Sequence, residues 1–175
     1  MPKKNILLTG PPRCGKSTLI EKLVERIDFP VTGFFTREIR EKGRRVGFSV
    51  NTLDGREGIL AHEDIKSRWR VGKYGVNLKD IEDIAVPAMI PSEGKEIIVI
   101  DEIGKMECFS CLFRETLSQV LDLPNRVLGS IALRGDTFME AIKLREDVMV
   151  VEVTLQDSGF LVDQLLDTLK AFEIA

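Results

Sequence analysis

With 175 residues, 43% of them hydrophobic and 30% charged, the chain has the composition of an ordinary globular protein. It is long enough to bury roughly 70% of its unfolded surface without covalent staples. The formal net charge of -3 argues against a nucleic-acid binder working by bulk electrostatics. Three cysteines, a small and odd count, argue against a secreted disulfide framework. No apolar run approaches the ~20 residues of a membrane span. Met1-Pro2-Lys3-Lys4 leads directly into an apolar stretch with no room for a cleaved leader, so a cytoplasmic location with no membrane partner is expected.

In chain order, residues 5–9 (NILLT) form a short apolar run before glycine and read as a buried parallel strand. Residues 16–27 carry Leu19, Ile20, Leu23, Val24 and Ile27 in one stripe, the pattern of an amphipathic helix, which Pro30 stops. Residues 31–37 and 45–52, rich in β-branched and aromatic side chains, flank Glu41-Lys42-Gly43-Arg44 and predict a β-hairpin. Leu53-Asp54-Gly55 marks a turn before a short strand at 58–61, and residues 69–74 predict another strand. Asn77, with Asp80 three positions on, predicts a helix cap; Leu78, Ile81, Ile84 and Ala85 form the apolar face, and Pro87 is expected to end or kink the helix.

The alternation then resumes. A strand at 96–100 is expected to end at Asp101, followed by a helix at 108–121 burying Leu112, Phe113, Leu117, Val120 and Leu121. A strand at 126–133, a helix at 136–144, a strand at 147–154 and a closing helix at 159–172 complete the chain. This order predicts an α/β fold, a mostly parallel sheet with helices on both faces. Residues 1–175 read as one domain, with the region of about 31–75 as an antiparallel addition to the sheet.

The chemistry is carried by Gly10-Pro11-Pro12-Arg13-Cys14-Gly15-Lys16-Ser17, which satisfies G-x-x-x-x-G-K-[ST] between a predicted strand and a predicted helix. Glycines let the backbone turn its N–H groups onto phosphate oxygens, and the positive end of the following helix points the same way. Lys16 can reach the β- and γ-phosphates, and the Ser17 hydroxyl can ligate Mg²⁺. Ile97-Ile98-Val99-Ile100-Asp101-Glu102 supplies a second half: an apolar strand delivering two carboxylates. Asp101 is assigned to the magnesium shell and Glu102 to orienting or deprotonating the attacking water. A glycine-rich turn can match the first pattern by chance, and two acids can merely cap a strand; both halves in one chain, each in its proper context, favour the nucleotide site.

Weaker signals carry competing readings. Arg37, Arg40, Lys42, Arg44 and Arg45 cluster around the hairpin turn, as a phosphate clamp or as a solvated hairpin diluted by Glu38 and Glu41; the solvated reading is favoured. Arg68, Arg70, Lys73, Arg114, Arg134 and Arg145 are further candidates for a second phosphate contact, with nothing in the sequence to choose among them. Cys108 and Cys111 form a C-x-x-C that lacks the remaining ligands of a zinc site and reads as two helix-face residues. The sole histidine, His62, reads as incidental.

The phosphate loop, the run Val99-Ile100-Asp101-Glu102-Ile103-Gly104-Lys105-Met106-Glu107, the hairpin stretches Gly33-Phe34-Phe35-Thr36 and Gly43-Arg44-Arg45-Val46-Gly47-Phe48, and Arg70-Val71-Gly72-Lys73-Tyr74-Gly75-Val76 occur together and in order. This resembles the THEP1-type nucleoside-triphosphatases, a family of small P-loop proteins with a human member known as cancer-related nucleoside-triphosphatase. The resemblance implies a RecA-like core, slow Mg²⁺-dependent hydrolysis of ATP, GTP and other triphosphates, and a nucleotide site made of Gly10 to Ser17, Thr18 and residues 98–105, the last being Lys105. Two departures stand out. Arg13 and Cys14 replace the small or apolar residues expected inside the loop, and Gln156-Asp157-Ser158-Gly159 stands where a Glu-Asn-Arg-like run is expected, so no C-terminal base contact is assigned. A nucleotide or polynucleotide kinase passing the γ-phosphate to an acceptor is the alternative activity; nucleic acid is not otherwise indicated as a partner, and the sequence gives no oligomeric state.

Overall fold

β1 (Asn5–Thr9) lies inside a parallel array and is buried along its whole length: Ile6, Leu7 and Leu8 are apolar, and the Asn5 amide donates to the Leu121 carbonyl and accepts from the Val127 N–H. It is paired in parallel with β8 (Arg126–Ile131) on one side and β9 (Val148–Glu152) on the other. β8 is followed outward by β7 (Ile97–Ile103), and β7 by the first half of β2 (Val31–Glu41), both in parallel. This computed structural model describes residues 2–156 and 158–171; Asp157 and the expected helix end at Phe172 lie outside the described residues.

From β2 the sheet turns antiparallel. β3 (Arg44–Thr52), β4 (Glu57–His62), β6 (Tyr74–Val76) and β5 (Arg70–Val71) are added in that spatial order. The nine described strands thus make one sheet, ordered β5-β6-β4-β3-β2-β7-β8-β1-β9. In the parallel half β8 is inserted between the loop-bearing strand and the strand that carries the carboxylates. The expected boundary at residue 31 moves, because Val31–Phe35 pairs with β7 and belongs to the parallel array. The β2–β3 turn tightens to Lys42-Gly43, both at positive φ, the backbone that suits the twist of a two-residue hairpin. The strand expected at 69–74 is instead a small hairpin, broken at Gly72-Lys73 where Gly72 takes a left-handed φ of 56°.

Two apolar layers close the sheet. α1 (Lys16–Arg26) and the helix Ser158–Ala171 cover one face, burying Leu19, Ile20, Leu23, Leu165 and Leu169 against Ile6, Leu8 and Val99. The other face packs Phe113, Leu117, Ile81 and Met139 against Phe34, Ile98 and Ile100. On that side Asn77 caps its helix by accepting from the Asp80 N–H, while the Asp80 carboxylate reaches across to the Ile59 N–H. Pro87 does not end this helix. A π-helical turn at Ile81–Ala85 precedes it, and the helix continues through Val86–Ala88. The helix expected at 108–121 begins later, at Cys111, where the Ser110 hydroxyl accepts from the Phe113 N–H. That frame leaves Leu112 44% exposed rather than buried. No helix among the described residues is long and apolar enough to cross a membrane.

Candidate functional site

The loop between β1 and α1 is shaped by one close approach. A Cβ on Gly10 would lie 2.7 Å from the Val153 carbonyl oxygen and 2.8 Å from Cys14 Sγ, so only glycine fits there. Cys14 turns inward and belongs to the core beneath the loop. Its neighbour Arg13 projects outward from a left-handed φ of 62°. The two unusual loop residues therefore have opposite placements, one packing the floor and one exposed at the mouth.

Gly15 precedes α1 at a φ of 96°, and no side chain caps the helix. The first helical hydrogen bond runs from the Leu19 N–H to the Gly15 carbonyl. The N–H groups of the first turn are thus presented at the loop, with no acidic side chain in that turn to compete for them. Lys16 Nζ folds back to donate to the Gly10 carbonyl at 2.7 Å, which holds the ammonium inside the loop.

β7 runs past Asp101 to Ile103 instead of ending there. Its ladder with β8 slips between Ile100, opposite Gly129, and Ile103, opposite Ile131. The extra residue of this bulge falls at Asp101–Glu102, a cis peptide, and both side chains line the cleft at the end of the strand. The Ser130 hydroxyl, from the inserted strand, donates to Asp101 Oδ1 at 2.6 Å. The other carboxylate oxygen, Oδ2, is buried with no hydrogen-bond partner among the described residues, as is Thr9 Oγ1 at the foot of the loop.

Burial raises the Asp101 pKa, opposed by the hydroxyls of Ser130 and Ser17 and by the Lys16 charge. Burial and then Asp101 raise Glu102, again against Lys16. A third acid completes the group. Glu107 is 3% exposed, and a Cβ on Gly104 would lie 2.8 Å from both Glu102 Oε1 and Glu107 Oε2. Burial, then the Glu102 charge, push the Glu107 carboxyl well above its ordinary range, with backbone N–H groups partly opposing.

A cleft of about 480 Å³ brings together residues from Pro12 to Thr18, the β2 residues Thr36, Arg37 and Glu38, the β3 residues Arg45 and Phe48, and the two acids Asp101 and Glu102. The expected halves, Lys16 and Ser17 against Asp101 and Glu102, meet across it. Other expected contacts do not. Ile98, Val99, Ile100 and Ile103 are fully buried core residues and present no atoms to the cleft. Lys105 is exposed, and neither it nor Gly104 lines the cleft. Gly10 and Pro11 shape the loop from outside the lining.

Most of the hairpin cations are spent on acids: Arg40 on Glu38, Arg44 on Glu63, Arg45 on Glu38. Arg44, with Lys73 adding to it, holds the Glu63 carboxyl down at about 2. His62 Nδ1 accepts from the Asp64 N–H, a local turn contact. Cys108 is buried and Cys111 exposed, and no group of three or more His, Cys, Asp or Glu among the described residues could hold a metal ion. Sequence reasoning passed over Ser130 and Glu21, whose charge also raises Asp101 and whose carboxylate meets Arg37 at 2.7 Å, and left Glu107 without a role. The signals were present: a serine inside an otherwise apolar strand, and an acid one helical turn after Ser17.

A phosphate loop leading into a helix from β1, the strand between β8 and β9 in a five-stranded parallel array, faces two strand-borne acids and defines a P-loop nucleoside-triphosphatase fold. The family model described as NTPase matches residues 5–166, and the chain belongs to that family. It is 46% identical over 166 residues to nucleoside-triphosphatase THEP1 of Thermotoga sp. (strain RQ2), covering 94% of this chain and 95% of that protein. It is 39% identical over 180 residues to human cancer-related nucleoside-triphosphatase, covering 93% and 95%. The crystal structure of THEP1 from the hyperthermophile Aquifex aeolicus superposes with a TM-score of 0.85 at 32% identity, covering 95% of this chain and 99% of that one. The solution structure of the human cancer-related protein superposes at 0.82 with 37% identity, covering 96% and 98%.

Proposed function

We propose that this protein hydrolyses nucleoside triphosphates, ATP and GTP among them, to the diphosphate and phosphate, with Mg²⁺ as cofactor. The observation that carries this reading is the cleft in which Lys16 and Ser17 face Asp101 and Glu102. The names of the relatives, nucleoside-triphosphatases in bacteria and in humans, support it.

The phosphates lie against the N–H groups of the loop and the first turn of α1, which stabilise negative charge without any reorganisation during the reaction. Lys16 moves from the Gly10 carbonyl to the β- and γ-phosphates. The donor set suits a hard divalent cation: a hydroxyl from Ser17 and Asp101 Oδ2, a buried carboxylate oxygen whose hydrogen-bonding capacity is otherwise unspent. Bound there, Mg²⁺ supplies neutralisation of the triphosphate charge. Ser130 fixes the orientation of the Asp101 carboxylate through its other oxygen. Glu102 holds the attacking water in line and takes its proton; the burial that raises its pKa increases its affinity for that proton.

The kinase alternative finds no support in the names of these relatives. Following γ-labelled ATP with Mg²⁺, with and without nucleoside monophosphates and RNA ends, tests the reading. Label released as free phosphate irrespective of acceptor is expected; transfer to an acceptor overturns it. Lys16→Ala is expected to abolish turnover.

A further inference from the structure

We propose that Arg37 is an arginine finger supplied in cis, a guanidinium held beside the phosphate site by Glu21 that donates to the γ-phosphate as its bond to the diphosphate breaks. This deepens the hydrolase reading above and rests on it.

Three observations converge on this residue. The first is register. Phe35 of β2 pairs with Asp101 of β7, so Arg37 lies two residues further along, roughly 7 Å past the acid at the carboxyl edge of the sheet. Arg37 shares the face of Phe35, its guanidinium 5.7 Å from that ring, and Phe35 packs in the layer under α1. The second is its anchor. Arg37 NH1 meets Glu21 Oε1 at 2.7 Å. Glu21 is four residues after Ser17, hence on the same side of α1 and about 6 Å along the axis. The guanidinium is thereby parked one helical turn from the hydroxyl assigned to the metal, and Arg37 itself lines the cleft.

The third is the contrast with the other cleft guanidinium on the hairpin. Arg45 donates to the Tyr74 hydroxyl at 3.0 Å and to Glu38 at 3.1 Å, and is stacked over both Phe48 and Tyr74. Moving it would dismantle the hairpin wall. Arg37 has one carboxylate partner, and the pair is open to solvent, with side-chain exposures of 55% and 34%. An ion pair so exposed is weak and readily exchanged for a more highly charged acceptor. A guanidinium can present two parallel N–H groups to phosphate oxygens in place of that carboxylate.

In the reaction the water oxygen bonds to the γ-phosphorus, the bond from that phosphorus to the bridging oxygen breaks, and the diphosphate leaves with the electron pair. The water proton passes to Glu102. Arg37 forms no covalent bond; its N–H groups meet the charge spread over the γ-oxygens, the stage at which such a donor is most effective.

The test uses the purified full chain with ATP and Mg²⁺, comparing Arg37→Ala, Arg37→Lys and Glu21→Gln. Arg37→Ala is expected to lower kcat by at least ~100-fold while KM stays within about threefold, and Arg37→Lys is expected to recover less than about a tenth of the loss. Glu21→Gln, which loosens the anchor but leaves the guanidinium in the cleft, is expected to lower kcat far less than Arg37→Ala does. A second readout needs no turnover: the parental protein and Glu21→Gln trap ADP with aluminium fluoride, whereas Arg37→Ala binds ADP without trapping fluoride. Parental kcat in Arg37→Ala, or equal losses in Arg37→Ala and Glu21→Gln, would show the pair to be structural and overturn the finger alone. Absence of phosphate release by the parental protein overturns the hydrolase reading and the finger with it.

Discussion

Ser130 Oγ donates a 2.6 Å hydrogen bond to Asp101 Oδ1 from β8, the strand inserted between the loop-bearing strand and the acid-bearing one. The inserted strand therefore does more than widen the sheet: it supplies the buried hydroxyl that orients the acid. Ser130→Ala leaves that buried oxygen unpaired and is expected to destabilise the fold by about 1–3 kcal/mol. Under the proposed metal role it also raises the Mg²⁺ concentration needed for half-maximal hydrolysis. Urea unfolding and a Mg²⁺ titration of phosphate release check the two effects.

Glu107 gives a pH dependence of defined sign. Its folded-state pKa is raised well above 4.5, chiefly by burial, so the native chain retains a proton that the unfolded chain has lost. The contribution of the protonated carboxyl is intact below the unfolded value and is lost as pH rises toward the folded one. Over that window this residue lowers stability by up to ~1.4 kcal/mol per pH unit. Glu107→Gln, which cannot ionise, is expected to flatten the fall of unfolding free energy with pH above 4.5 and to be more stable than the parent at neutral pH. Denaturant melts between pH 5 and 8 measure it, and an unchanged slope in the variant would contradict the assignment.

The three thiols are expected to separate by reactivity. Cys111 is exposed, whereas Cys14 lies under the phosphate loop and Cys108 is buried, its thiol pushed up to about 12 chiefly by burial. A thiol-specific chromogenic reagent should titrate one cysteine quickly in the native protein and the other two only on unfolding. Rapid reaction of Cys14 in the native state would show that the loop opens.

How far the sequence could be read depended on how local the determining interactions are. The loop, β1 and α1 were legible because their glycine pattern, apolar run and amphipathic stripe all lie within 25 consecutive positions. The continuation of β7 past Asp101 was not, since the slip that makes the bulge is a relation between Ile103 and Ile131 on another strand. Pro87 was expected to end or kink its helix; the wide turn at Ile81–Ala85 precedes the ring, and a period of 3.6 cannot foretell it. Leu112 was counted in the apolar stripe of a helix from Cys108, but it lies in the first turn of a helix that begins at Cys111 and is half-exposed there. Of residues 98–105, which the resemblance implies as part of the nucleotide site, Asp101 and Glu102 line the cleft, while the side chains of Ile98, Val99, Ile100 and Ile103 are buried in the core. Among many cations the sequence had no means of choosing; the choice of Arg37 came from its register beside Asp101 and its ion pair with Glu21.

In the proposed hydrolysis Glu102 works on the water while Lys16, Ser17 and Asp101 hold the triphosphate. The most direct measurement is the turnover of Glu102→Gln set beside its affinity for ATP. The variant keeps the shape of the side chain and removes the base, so ATP binding is expected to stay within a few-fold of the parent while kcat falls by about 10²–10⁴-fold. Hydrolysis by Glu102→Gln at the parental rate would contradict the account.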